Sequence, residues 1–227
     1  MTTIIGALGV LLIPSRIHFR ERSQRAMCRE NLRLLGVAAH IYSGQQYGRL
    51  FNQIHANGEW GSFILPNETF SQITNLVGNL AIDCPNLYPF TMPGVVYHHG
   101  GRTTFNDGTY IGYNYLGGIN TPRMAETFGW NSPVRINDDP AAPLFTDPNN
   151  HGWIEGYWAV APHTATGPQR LGGQSTIRLQ ALVTSRGLGA QGGNVGLLDG
   201  SVHWKSVGQM KEGYWTLRCN FENRGMW

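Results

Sequence analysis

The chain reads as an α+β protein in which one long N-terminal helix precedes a β-rich, turn-rich body. Three observations carry that reading. Apolar residues recur at sustained helical spacing only in the N-terminal segment. Beyond residue 48 that period gives way to short apolar and aromatic runs. They are punctuated by Asn57-Gly58, Asp107-Gly108, Gly117-Gly118, Gly172-Gly173, Gly192-Gly193 and Asp199-Gly200. Finally, 30 Gly and 12 Pro make up nearly one residue in five of 227, which suits loops and turns better than a helical bundle. With 41% hydrophobic and 14% charged residues, the chain is too apolar and too weakly charged for disorder. Its length suffices for a core without metal or disulfide staples.

The helix comes first. Ile4–Ile13 (IIGALGVLLI) is ten residues without a charge, about 15 Å as a helix and half a bilayer. No basic residue precedes it and no small-residue cleavage site follows, so it does not read as a complete secretory signal. Pro14 follows and marks the one place for a kink. Cys28, Leu32, Leu35, Ala39 and Tyr42, spaced four, three, four and three, then form one apolar stripe. Gly44 and Gly48 are the stop signals. The expectation is a single helix from about residue 3 to 45, apolar all round over 4–13 and amphipathic over 16–45. Residues 1–47 thus form a helical segment and 48–227 the body. A helix of this length exceeds the globular range. Its first turns call for a cover from outside the chain, either membrane or neighbouring copies.

The net charge of +3 is uneven. Arg16, Arg20, Arg22, Arg25, Arg29 and Arg33 face only Glu21 and Glu30, so residues 1–33 carry +4 and the remainder −1. The basic arm suits nucleic acid, anionic lipid or, more simply, intrahelical pairs; the near-neutral body argues against a nucleic-acid-binding domain.

Within the body, Ser71–Ile82 predicts a short helix, and Tyr110–Tyr115 and Trp153–Ala161 one strand each, while residues 131–150 read mostly as loop. The clearest element is a hairpin over 194–204. Asp199-Gly200 between alternating apolar residues predicts a two-residue type I′ turn. That turn sets Leu197 opposite Val202 and Val195 opposite Trp204, with both pairs on one buried face. The tail, 206–227, reads as a short helix ending on an exposed Trp227.

Several motifs are weighed and set aside. Gly187 to Gly192 matches GxGxxG, but a strand follows where a dinucleotide site needs a helix. His98-His99 lacks a carboxylate or cysteine at metal-ligand spacing. No nucleophile motif is present, and no cysteine has an identifiable histidine partner, so no enzyme is expected. No metal or other cofactor is expected either. The weak exception is calcium on Asp138, Asp139 and Asp147, in a loop whose prolines suit Asx turns equally well. Trp130, Trp153, Tyr157 and Trp158 suit either a core or a glycan-binding face.

Pro14, Arg22, Arg25, Cys28, Asn31, Leu32, Leu35 and Gly36 together resemble the stalk of type IV pilin-like proteins and type II secretion pseudopilins. GGNVGLLDGSVHWK, with Gly192, Gly193, Asn194, Asp199 and Gly200, resembles the end of the planctomycete-type pilin-like family defined by a histidine, nine residues and Asp-Gly. Cys84-Pro85 and Tyr113 to Gly118 look like recurrent segments of the same family. Gly189 stands where the family has histidine, and His163 does not occupy that position. Aligning Pro14 on the family's helix proline places Met1 about eight residues inside a mature subunit. The resemblance implies a pilin-like fold, with Leu32, Leu35 and Ala39 packing the helix on a sheet that includes the 194–204 hairpin. Leu11, Leu12 and Pro14 belong to its assembly helix. It implies a non-catalytic structural subunit of a filament, pseudopilus or secretion-like assembly of the bacterial cell envelope. Such a subunit is anchored in the inner membrane with its head outside the cytoplasm, or sits in an extracellular filament, and its partners are copies of itself or other pilin-like subunits. A head outside the cytoplasm permits a Cys28–Cys84 disulfide, and two buried thiols are the equal alternative. The competing function is a secreted or surface carbohydrate-binding module using the aromatic face.

Overall fold

The structure is a computed structural model. It describes residues 2–56, 58, 61–87, 108–119, 131–153, 157–171, 184–218 and 221–227, with backbone alone for 2–18, 153, 157–158, 213–218 and 221–223. One helix, α1 (Thr2–Gln45), runs without a break through Pro14. It ends where Tyr47 and Gly48 both turn to positive φ, and the Gly48 amide donates back to the Ser43 carbonyl at 2.8 Å. β1 (Ile64–Pro66) follows, and α2 (Asn67–Val77) continues directly from it. A 3₁₀ turn covers Leu80–Ile82. The remaining strands are β2 (Gly108–Tyr110), β3 (Asn114–Tyr115), β4 (Pro143–Thr146), β5 (Asn149–Trp153), β6 (Tyr157–Ala161), β7 (Gln169–Leu171), β8 (Gly192–Leu197), β9 (Val202–Ser206), β10 (Glu212–Arg218) and β11 (Phe221–Met226).

Among the described residues all strand pairings are antiparallel, as the α+β expectation requires. β1 and β2 form a small ribbon, β3-β4-β8-β9 a central sheet, and β10-β11-β5-β6-β7 a second sheet. The C-terminal half of α1 lies along the central sheet. Cys28, Leu32, Leu35, Ala38 and Ala39 are buried there against Leu144, Phe145 and Leu198, with Tyr113, Tyr115, Phe51 and Ile73 completing the main core. Small residues set the closeness of that approach. A Cβ on Gly196 of β8 would stand 3.8 Å from the Leu32 Cβ, and a Cβ on Gly36 the same distance from the Gly200 Cα. Further along, His40 Nε2 meets the Leu198 carbonyl at 2.8 Å.

Five local expectations are corrected. The hairpin is one residue out of register: Gly196 pairs with Val202, Val195 with His203 and Asn194 with Trp204. Only Gly200, and not Asp199, has positive φ, which excludes a type I′ turn. Instead the Gly200 amide donates to the Leu197 carbonyl and the Leu197 amide to the Ser201 carbonyl, closing a three-residue loop over 198–200. Opposed residues share a face. Asn194, Gly196, Val202 and Trp204 therefore lie on the α1 side, whereas Val195 and Leu197 join a second core with Leu116, Ile119, Met210, Met226 and Trp227. Both faces of β8 are covered, so alternation could not tell one inner face from two.

Residues 131–150 hold β4 and the start of β5, and Trp153–Ala161 divides between β5 and β6. Tyr110–Tyr115 likewise divides between β2 and β3. The tail forms the β10–β11 hairpin rather than a helix, and Trp227 is buried in the second core, its backbone paired both ways with Lys211.

Candidate functional site

Two surfaces of α1 matter, and they lie nearly opposite each other. The face turned to the body carries Glu21, Cys28, Leu32, Leu35, Ala39 and Ser43, all buried. The other carries Phe19, Met27, Leu34, Val37 and Ile41, all exposed, Phe19 to 68% and Val37 to 51%. At the helical turn angle these five fall within an arc of about 80°. The body thus grips one side of the helix and leaves an apolar stripe on the other. Of the expected assembly residues, Leu32 and Leu35 belong to the buried face. Leu11, Leu12 and Pro14 lie in α1, with their side chains outside the described residues. Among the described residues no helix is long and apolar enough to cross a membrane.

Beneath the buried face sits a polar cluster. Glu21 occupies the same stripe as Cys28 and Leu32, so its carboxylate is carried inside. It accepts from Arg25 Nε at 2.9 Å and from His163 Nδ1 at 2.7 Å, both at Oε1. Asn86 donates to Glu21 Oε2 at 3.3 Å and to the Pro162 carbonyl at 2.7 Å. The far ring nitrogen of His163, Nε2, stands 3.1 Å from Asp147 Oδ2, an electrostatic contact whose angle falls short of a hydrogen bond. Asp147 Oδ2 is already taken by Asn194, whose backbone and side-chain N–H groups donate to it at 2.7 and 2.9 Å. Asp147 Oδ1 and His163 Nε2 are consequently buried without a hydrogen bond.

Cys28 and Cys84 complete the cluster as free thiols, Sγ to Sγ 3.4 Å. The expected pairing in space is present, and the bond is not formed. Cys28 Sγ, an Asp147 oxygen and a His163 nitrogen all lie within 4.8 Å of one another.

The electrostatics follow from this packing. Burial disfavours a charged His163, but the Asp147 charge and the contacts with Asp147 and Glu21 together outweigh it, and the pKa is pushed up to about 10. Burial likewise works against the Glu21 carboxylate, and the hydrogen bonds from His163 and Arg25 override it and lower its pKa. Hydrogen bonding to Cys84, then burial, raise the Cys28 thiol well above its ordinary value. A cysteine, a histidine and an aspartate side by side suggest nucleophilic chemistry. A buried thiol held protonated is the opposite of an activated nucleophile.

Above the cluster, Arg25, Arg29, Glu30, Arg33, Asn194 and Trp204 line a groove of about 450 Å³. The Arg25 guanidinium stacks 4.1 Å above the Trp204 ring and bonds Gln191 with its other arm. Trp204 meets the His163 ring edge-on, centroids 5.5 Å apart.

The calcium trio is not assembled. Asp138 Oδ2 accepts from the Val134 and Arg135 amides, and Asp139 Oδ1 from the Ala141 amide, so both carboxylates serve turns. Asp147 is turned inward instead, and the one clustering that could hold a cation among the described residues joins it to Cys28 and His163. In the family-like motif, Gly192 has φ 154 and lies against the Lys205 carbonyl, Gly193 packs on Asn149, and Asp199 accepts from the Ser201 amide at the exposed hairpin tip. Gly189 is an open turn residue of a loop that does enter a strand. His98, His99 and Trp130 lie outside the described residues, as do the side chains of Trp153, Tyr157 and Trp158.

Sequence reasoning missed the buried roles of Glu21 and Asn86, and noted His163 without assigning it one. The available signal was Glu21, a carboxylate in phase with the apolar stripe of α1. Comparisons with protein-family models, with curated proteins and with solved structures return no match.

Proposed function

We propose that the chain is a structural, pilin-like subunit that assembles through α1 into a filament or pseudopilus-type envelope structure, with the body decorating the outside. The observation that carries this reading is the two-sided helix. At 44 residues, α1 is about 66 Å long, and beyond the body's grip it still presents Phe19, Met27, Leu34, Val37 and Ile41 as one apolar stripe. A monomer gains nothing by holding that stripe in water. Packed against the same stripe of other copies, it exchanges hydration for helix–helix contact. The uncharged Ile4–Ile13 run extends the surface along the same helix. In the membrane, before assembly, that run would exchange lipid contacts for helix contacts. Such a subunit belongs to the bacterial cell envelope, with its head outside the cytoplasm.

The test is a paired substitution on the exposed stripe, Val37→Asp with Ile41→Asp. Neither residue supports the core, so thermal unfolding of the body should stay within about 1 kcal/mol of the parent. Sedimentable assemblies from native cell fractions should be lost. Assemblies that form equally well with both charges in place would refute the reading, as would a parent chain that stays monomeric in those fractions.

A further inference from the structure

We propose that Cys28, Cys84, Asp147 and His163 bind one thiophilic divalent cation, with zinc the ion whose preferences they match. This does not rest on the assembly reading.

Three of the four ligand atoms already converge within 4.8 Å in a fully buried pocket. The fourth, Cys84 Sγ, stands 3.4 Å from Cys28 Sγ. Two thiolates on a tetrahedral zinc, each about 2.3 Å from the ion, sit about 3.8 Å apart. The thiols therefore need to separate slightly, and the histidine and aspartate to close in.

The polar atoms left over are the ones a cation would use. Asp147 Oδ1 is buried with no hydrogen bond, and His163 Nε2 is buried with only the 3.1 Å charge contact to Asp147 Oδ2. A buried polar atom without a hydrogen bond is costly, and one cation satisfies both. Around them, the supporting contacts are already made. Glu21 Oε1 accepts from Nδ1–H at 2.7 Å and fixes the ring, the carboxylate–histidine arrangement that orients metal-bound imidazoles. Asn194 occupies Asp147 Oδ2 with two N–H groups, leaving Oδ1 for ligation. As the ion enters, the two thiol protons and the His163 Nε2 proton leave to solvent. Two thiolates, one carboxylate and one neutral imidazole close a four-coordinate shell with no open position, the pattern of a structural site rather than a catalytic one.

The four ligands come from separate stretches. Cys28 is on α1, Cys84 follows the 3₁₀ turn, Asp147 joins β4 to β5, and His163 follows β6. One ion would tie the helix to three segments of the body. A Cys28–Cys84 disulfide would consume two ligands, so metal and disulfide exclude each other.

The experiment uses the full chain, purified with reductant, stripped by chelator and titrated anaerobically with Co²⁺ alone and then Zn²⁺. The expected result is one equivalent of Co²⁺ per chain. It should give a thiolate-to-cobalt charge-transfer band and the visible bands of tetrahedral cobalt, and Zn²⁺ should bleach both. His163→Gln and Cys84→Ser should each weaken binding by about tenfold or more, and Cys84→Ser should also lose about half the charge-transfer intensity. Because these variants can fail to fold, zinc-edge X-ray absorption of the parent supplies a second reading. A first shell of sulfur with nitrogen or oxygen is expected, and an all-oxygen shell overturns the proposal. It is also overturned if the parent shows no charge-transfer band in excess cobalt, if folded His163→Gln binds as tightly as the parent, or if the chain isolated from cells carries a Cys28–Cys84 disulfide.

Discussion

Leu32→Asp probes how the body holds the helix. Leu32 is 1% exposed where α1 crosses β8, with the Gly196 backbone close beneath it. Truncation of such a leucine to alanine costs about 3–5 kcal/mol in lost burial and residual cavity. Aspartate adds a second penalty, because the closed interface accepts only the neutral acid. Holding a carboxyl with an ordinary pKa of about 3.9 protonated at pH 7 costs about 4 kcal/mol, at roughly 1.4 kcal/mol per pH unit. The total, about 7–9 kcal/mol, is comparable with the whole stability of a typical domain, so at neutral pH the helix detaches or the chain unfolds. The sign with pH is definite. The unfolded chain releases the proton that the folded one must keep, so the penalty grows as pH rises above about 4. Near pH 4 only the truncation term remains. The assay is urea unfolding followed by circular dichroism between pH 4.5 and 7.5, comparing parent, Leu32→Ala and Leu32→Asp. If Leu32→Asp is as stable as the parent at pH 7, or its pH profile runs parallel to that of Leu32→Ala, the packing described for α1 is wrong.

Two further outcomes are expected. Gly192→Ala would place a Cβ 2.1 Å from the Lys205 carbonyl oxygen, at φ 154, whereas a Cβ on Gly208 meets nothing. The first should cost about 2 kcal/mol or more and the second about nothing, measured by urea unfolding. His151 has its pKa lowered by burial despite the Glu212 carboxylate 2.6 Å away. The unfolded state therefore binds the proton more readily, and this group's contribution to stability is lost as pH falls through about 6.5. His151→Gln should flatten that part of the stability profile, and an unchanged profile would remove His151 as its source.

The long helix was legible because its period and its stop are both local properties. Leu32, Leu35 and Ala39 mark the buried stripe, and Gly48 turns the chain out of the helix. Strand positions near Asp199-Gly200 were legible too, but their register was not. The dipeptide is compatible with either a two-residue turn or a three-residue one, and the choice rests on distant contacts. Leu198 is drawn into the main core, and its amide and that of Asp199 donate to the Ala142 and Pro140 carbonyls. The tail was misread for a similar reason. Its strands exist because β11 pairs with β5, some 70 residues earlier. The polar cluster was half legible. Cys28 and Cys84 stood out as a pair, bonded or as two buried thiols, and Asp147 stood out beside the wrong neighbours. Nothing local announces that His163, following Ala161-Pro162, is carried to within hydrogen-bonding distance of Glu21, 142 positions away.

Hairpin tips are ordinarily where a lineage adds or drops residues at little cost. The 198–200 loop is an exception. It sets the phase of β9, with Val202 and Trp204 turned to the helix and His203 exposed on the opposite side. Losing one residue there would exchange the two sets at once, bringing His203 and Lys205 toward α1 and withdrawing Trp204 from Arg25 and His163. Chain length at this exposed tip is therefore as constrained as the composition of the interior, and drift in this molecule is expected to change the letters of the turn while keeping their number.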